Sequence, residues 1–408
     1  MPSPLVLYLK EKKLWLHTRL GMVHYAGTEW RKSDLLWVQL LRCTAAACFV
    51  TMFSGIALSL LYEPSARPII DNNGKYQTLG YAKKTVRSTF GDTIALANEV
   101  IHIPLSDAKT RKPIFEDSLL KNSFDIVRSE SGIPIIISAA SSSVENSIMS
   151  KNTSGIWMRR VHIWSVHLFM LCLMTSIVTI LLLRSWRAPF ELLWVMLIVL
   201  SLCAGVAAWS GSVLPWSILS VVSAQVVTGV LRHLPIIGEY IAQFILNGNA
   251  ISERTIPRIF TIHAIVLPIM MISVWIGVSA LIKRLSVEQK HLFSGNIWKL
   301  TFSSVMLICM LSALLFNPIQ SGGSFIPADT LLPNIALNDS KPSWYFLPFY
   351  ELMNIVPTDA FTIVMIVFIC MLFLTPILFR KKSVIMLYIG TIVTILIFVW
   401  LGVRGFTQ

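Results

Sequence analysis

RRVHIWSVHLFMLCLMTSIVTILLLRSW, residues 159–186, is an apolar run of bilayer-spanning length with two arginines and a histidine, His162, at its entrance. A second run, RIFTIHAIVLPIMMISVWIGVSALIKR at 258–284, repeats the design with Arg258 and His263. His167 apart, nothing ionisable follows in either run until the basic residues at its far end. Two such helices define the protein's architecture, because the remaining chain supplies more of the same kind. Apolar stretches of about 20 residues, the length a bilayer core demands, lie at 35–61, 157–183, 190–210, 257–282, 297–316, 359–379 and 383–403.

The composition agrees. Of 408 residues, 55% are hydrophobic and 13% charged, and the mean hydropathy is +0.68. Soluble domains carry about 25% charged residues, so the chain reads as an all-α membrane protein with seven transmembrane helices. The first 30 residues lack the apolar segment and small-residue cleavage site of a signal peptide.

A net charge of +13 invites comparison with nucleic-acid binders, but its distribution fits membrane topology better. With the N-terminus inside, fifteen Lys and Arg residues, from Lys10 to Lys382, fall in inner segments, against seven in the short outer ones. This asymmetry is the positive-inside rule. It places the N-terminus on the inner side and excludes a nucleic-acid footprint. The six cysteines all lie in spans with no CxxC or CxxCH spacing, so apolar burial is their expected role.

Residues 1–34 form a basic N-terminal segment with an amphipathic stretch and a helix cap at Ser33-Asp34. The connection 62–156 is polar and turn-rich, either a small outer subdomain or a partly flexible insert. Two further outer connections, 211–256 and 317–358, are aromatic and proline-punctuated, whereas the inner ones are short and basic. Chemistry is therefore expected at the outer face.

The spans carrying His162 and His263 run in the same direction, and each histidine lies about five residues past the entrance. Two readings are open. Interfacial histidines can simply bond to backbone. Alternatively, two imidazoles at one depth on neighbouring helices hold a flat iron porphyrin between them, with Arg159, Arg160 and Arg258 meeting its propionates. His167, five positions on, faces elsewhere and is expected to pack.

The stretches SGIALSLLYEPSA, RRVHIWSVH, APFELLWV, SGSVLPW, VVTGVLRHLPIIG, RIFTIHAIVLP and KPSWYFLPFYELMNIVP together resemble the cytochrome b family, in family order from residue 35 onward. The arrangement of four plus three spans is similar to a fusion of the split photosynthetic form. The resemblance implies a haem-binding four-helix domain at 35–284 with an outer insert at about 67–137. It also implies a three-helix part resembling subunit IV at 285–408. It assigns His162 and His263 as axial ligands of one haem b, and Arg159 and Arg258 to the propionate side. Gly55 and Gly211 become the glycines that let the ring approach.

The departures from the family are specific. Its second haem needs histidines about fourteen residues further along the same helices, a step of roughly 21 Å. Ser176 and Gly277 or Val278 stand there instead. The glycines beside that second ring are replaced by Leu41 or Arg42 and by Leu197. No inner haem is therefore expected, nor a covalently attached one, since Gln39 stands where the photosynthetic form has its cysteine. Arg42 either snorkels or enters the vacated space. The quinol motif Pro-Glu-Trp-Tyr reads Pro342-Ser343-Trp344-Tyr345, and a serine hydroxyl cannot accept a quinol proton at neutral pH. Glu351, two turns on, is a substitute candidate.

These residues lead to a divergent cytochrome b subunit of a respiratory electron-transfer complex in a bacterial or mitochondrial inner membrane. It is expected to hold one haem b near the outer face, and quinol or quinone at Ser343, Trp344, Tyr345 and Glu351. Implied partners are a Rieske-type iron–sulfur protein, a cytochrome c-type subunit, further membrane subunits and lipids. The alternative is a structural or assembly subunit that keeps the fold without catalysis.

Overall fold

The computed structural model describes residues 34–87, 93–95, 100–115, 122–128, 132–149, 154–187, 190–285, 295–316, 328, 341–379 and 384–407. The amphipathic N-terminal stretch and the Ser33 cap lie outside these residues.

The seven expected spans are all helices long and apolar enough to cross a membrane. The first is α1 (Asp34–Ser59). After the insert come a short α2 (Ala139–Ser143) continued by a π-helical turn Val144–Ile148, then α3 (Gly155–Leu182) and α4 (Glu191–Val213). Two shorter helices, α5 (Ile218–Arg232) and α6 (Gly238–Leu246), fill the connection that follows α4. The fourth span comprises α7 (Thr255–Thr261), a π-helical turn Ile262–Val266, and α8 (Leu267–Leu285). The C-terminal part consists of α9 (Gly295–Leu315), the short α10 (Leu347–Ile355), α11 (Thr358–Leu378) and α12 (Val384–Thr407).

Helix α1 lies along α3 and α4 along α8, while α9 packs across α1 and α3 and α12 against α10. Trp37, Trp186, Trp194, Leu193, Leu197, Leu173 and Ile180 are almost wholly enclosed in the bundle core. Outward residues are equally apolar: Ile363, Val367, Met371, Ile389, Leu396 and Trp400 on α11 and α12 are exposed. In water that surface would be untenable. In a bilayer it is the lipid contact, and helices suit it because every backbone group is satisfied within the segment.

The turn at Ile262–Val266 has a local cause. Pro268 has no N–H and its ring crowds the carbonyl four residues back, at Ala264. The preceding turn widens, and the Leu267 N–H donates to the Ile262 carbonyl, five residues back. Such π-turns often mark functional positions, and this one contains His263.

The all-helical reading needs one addition, since the insert is a small β subdomain. Strand β1 (Gln77–Ala82) pairs antiparallel with β4 (Val100–Pro104) on one side and β5 (Phe124–Ile126) on the other. Strands β2 (Val86–Arg87) and β3 (Thr93–Ala95) form a second pair. Leu79, Ala82, Ile103 and Phe124 are buried within the insert. The subdomain is tied to the membrane domain through α2: His102 Nε2 lies 3.0 Å from Ser142 Oγ, and Ser141 Oγ donates to the Trp216 carbonyl at 2.8 Å.

Candidate functional site: a paired-histidine cavity

Helices α1, α3, α4 and the fourth span converge on a cavity of about 560 Å³ lined by Gly55, Arg159, His162, Gly211, His263, Ser343 and Tyr345, among others. Its size is in the usual range for small-molecule sites, roughly 300–1,000 Å³.

The two histidines sit in matching half-sites. His162 Nδ1 lies 3.0 Å from the Thr51 carbonyl and 3.1 Å from Ser54 Oγ. His263 Nδ1 lies 3.0 Å from the Ala207 carbonyl and 3.0 Å from Ser210 Oγ. A carbonyl only accepts, so Nδ1 carries the proton in both rings and Nε2 is left unprotonated. The serine hydroxyls already donate to backbone, Ser54 to Val50 and Thr51, Ser210 to Ala207. Their oxygens are thereby turned to accept from the imidazoles. A neutral imidazole whose tautomer is fixed by a second hydrogen bond is the form that ligates metal.

Each half-site ends in a glycine one residue past its serine. A Cβ on Gly55 would stand 3.1 Å from His162 Cε1, and one on Gly211 would stand 2.8 Å from His263 Cε1. The glycines therefore leave room for the histidine rings. The serines escaped the sequence reading. Their signal was available as the dipeptide Ser-Gly in both helices, at 54–55 and 210–211.

The remaining candidates divide. Arg159 lines the cavity. Arg258 is turned to the end of α6, where it donates to Asn247 Oδ1 at 2.8 Å and stacks 4.8 Å from the Phe244 ring centroid. Ser343 and Tyr345 line the cavity and hydrogen-bond each other, and burial raises the Tyr345 phenol above its ordinary pKa. Trp344 instead donates its indole N–H to His167 Nδ1 at 3.1 Å. His167, expected to face elsewhere and pack, in fact lines the same cavity and is the contact that fixes the Ser-Trp-Tyr segment on α3. Glu351 lies away from the cavity lining, buried against α12 with Arg404 Nε 3.6 Å from its Oε2.

The inner half of the same bundle is packed differently. Ser176 is fully buried, donates to the Cys172 carbonyl at 2.7 Å, and lies 3.3 Å from Thr44 Oγ1. Leu41, Leu197 and Val278 are buried, and the end of Met196 occupies the place where a Cβ on Gly277 would be. Arg42 makes a contact within its own helix. Its Nη1 donates to Gln39 Oε1 at 3.1 Å, and Gln39 donates to Thr301 of α9 at 2.9 Å.

The fold and cavity thus define a helical membrane protein built around paired, tautomer-fixed histidines. Comparison with known proteins gives the family. A family model described as cytochrome b/b6/petB matches residues 134–285, and one for the C-terminal part of cytochrome b/b6/petD matches 333–406. The chain belongs to the cytochrome b family. Cytochrome b of Acanthamoeba castellanii is 26% identical over 231 residues, covering 54% of this chain and 60% of the relative. That of Cereibacter sphaeroides is 27% identical over 249 residues, covering 56% and 55%. That of Allochromatium vinosum is 28% identical over 291 residues, covering 61% and 70%. The chain therefore spans little more than half the length of the first two. A solved structure, "Hyperthermophilic respiratory Complex III", shares the fold at a TM-score of 0.55 and 15% identity, covering 98% of this chain and 91% of that one.

The family implies haem b, and the outer half-sites fit such a group: two unprotonated Nε2 atoms, a bonded Nδ1 behind each, and an arginine at the cavity wall.

Proposed function

We propose that this chain is the cytochrome b subunit of a Complex III-like respiratory membrane complex that holds a single haem b in the outer cavity. His162 and His263 supply the axial nitrogens, Ser54 and Ser210 orient them, and Arg159 faces the propionates. Arg258, bound to α6, steadies the entrance of the fourth span. Quinol binds beside Ser343 and Tyr345, in the segment that Trp344 and His167 fix, with no inner haem to receive a second electron. Glu351, held by Arg404, serves the packing of α10 on α12 more directly than it serves quinol. A Rieske-type iron–sulfur protein and a cytochrome c-type subunit are the partners proposed for the outer face, and the N-terminus is placed inside.

One observation supports the reading: the outer half has both histidine half-sites complete, while in the inner half Leu41, Leu197 and Val278 are buried and the end of Met196 lies beside Gly277. A pyridine haemochrome assay on the purified complex tests it, with one haem b per chain expected. Two per chain would overturn the single-haem assignment.

The second reading, a subunit that keeps haem and fold without catalysis, is favoured by Ser343, which has no carboxylate to take a quinol proton. Quinol-dependent reduction of the haem separates the two. A redox subunit reduces with quinol, whereas a scaffold responds only to a small chemical reductant.

A further inference from the structure

Glu145, in the π-helical turn between α2 and α3, is 6% exposed. Its carboxyl hydrogen-bonds the Tyr81 phenol of strand β1 and interacts electrostatically with Arg159 of α3. Arg159 lines the histidine cavity, as do Val144 and Ile148 from Glu145's own turn. Titratable groups at this turn include Tyr81 from β1, His102 from β4 and Arg159 from α3, and Glu63 reaches its start, where its backbone N–H donates to Ser143 Oγ at 3.1 Å. His102 reaches Ser142 and Asn146, with Nε2 2.8 Å from Asn146 Nδ2, and burial lowers its pKa, so it is neutral at pH 7. One cation thus stands between a buried carboxyl and the cavity, and the insert supplies the phenol bonded to that carboxyl.

We propose that Glu145 is a proton-binding site coupled to the electron held in the outer cavity, with Arg159 as the shared cation and Tyr81 of the insert setting the proton affinity. The proposal rests on the haem reading above. When one electron enters from a quinol or a chemical reductant, the cavity gains one negative charge. That charge competes with the Glu145 carboxylate for Arg159, and Glu145 takes up one proton from the outer aqueous side. Loss of the electron reverses both steps, so electron and proton uptake are linked, by up to one proton per electron at pH values between the proton affinities of the oxidised and reduced states. Burial raises the Glu145 pKa to about 7, so its titration falls where such coupling operates. Coupling between two such sites is commonly 5- to 150-fold in affinity, and a change of roughly that size in Glu145 proton affinity is expected between oxidised and reduced states.

The test is a redox titration of the haem in the purified complex from pH 5.5 to 9, on the wild type, Glu145→Gln and Tyr81→Phe. The wild-type midpoint potential should fall with rising pH through a step near neutrality. Glu145→Gln should hold a higher, flat potential across that step. Tyr81→Phe removes the hydrogen bond that favours the carboxylate and should move the step to higher pH. A wild-type step retained in Glu145→Gln overturns the proposal. Should that variant fail to assemble, an unmoved step in Tyr81→Phe overturns it. Haem content is measured on the same samples. A wild-type complex without haem refutes the functional reading, whereas full haem with unchanged titrations refutes the Glu145 assignment alone.

Discussion

The outer and inner halves of this bundle are built on the same helices, yet they are organised by different physics. In the outer half, helices α1 and α4 each present a carbonyl, a serine and a glycine to one imidazole of a neighbouring span. Polar atoms are placed there in pairs, and space is kept open by the absence of a Cβ. In the inner half Leu41 and Leu197 are buried, the end of Met196 lies beside Gly277, and the polar residues Ser176 and Thr44 bond to each other and to their own helices. A helix pair therefore becomes a cofactor cradle only where backbone acceptors, small residues and an orientable ligand coincide. Apolar side chains alone give a core.

The sharpest way to break this comparison is at the ligands. His162→Ala or His263→Ala should abolish the haem b absorbance of the purified complex, while Ser176→Ala should leave it intact. Loss of haem from the serine variant would mean that the inner half also contributes to binding.

Next come the glycines. Gly211→Ala should reduce haem content several-fold and more severely than Gly55→Ala, because its Cβ would approach the histidine ring to 2.8 Å against 3.1 Å. Gly277→Ala should be milder than either, since the nearest atom is the flexible end of Met196. Equal effects at all three positions would show that generic helix packing, and no ring clearance, governs them.

A smaller effect is expected at the orienting serines. Each hydrogen bond is worth about 0.5–1.5 kcal/mol, so Ser54→Ala or Ser210→Ala should raise the haem dissociation rate a few-fold and alter the haem's electron paramagnetic resonance signal through ring rotation. An unchanged spectrum in both variants would assign the orientation to the backbone carbonyls alone.

The smallest expected effect concerns the insert. Glu145 has a pKa of about 7 in the folded chain against an ordinary 4.5, so between those values the folded state binds more protons than the unfolded. The insert's docking contact is therefore strongest below about pH 4.5 and weakens as pH rises through 7. Limited proteolysis of the insert should quicken modestly from pH 5.5 to 8, and Glu145→Gln should flatten that dependence.

Much of the site was legible in the chain because membrane sequences are constrained strongly. Spans must be apolar over a set length, so all seven could be placed, and a histidine inside one is conspicuous. The cavity residues His162, His263 and Arg159 were found in this way, whereas Gly55 and Gly211 followed from the resemblance to the cytochrome b family. Arg258, Trp344 and Glu351 were adjacent in sequence to cavity residues but turn to other partners: the end of α6, His167 and Arg404. Helical phase and long-range packing set those directions. His167 shows the same limit from the other side, because its partner Trp344 lies 177 residues away.

By itself the sequence determined the number and placement of the spans, the two histidines at one depth, and the changes in chemistry at Ser176, Leu197 and Ser343. The spans and the paired histidines are properties of composition and local period, whereas the changes at Ser176, Leu197 and Ser343 are visible only against the cytochrome b family. Only the tertiary structure decided which nitrogen of each histidine is protonated, what the glycines make room for, and that a β insert brings Tyr81 to Glu145 beside the cavity. Those depend on atoms from distant segments meeting within hydrogen-bonding distance, which no pattern along a single chain records.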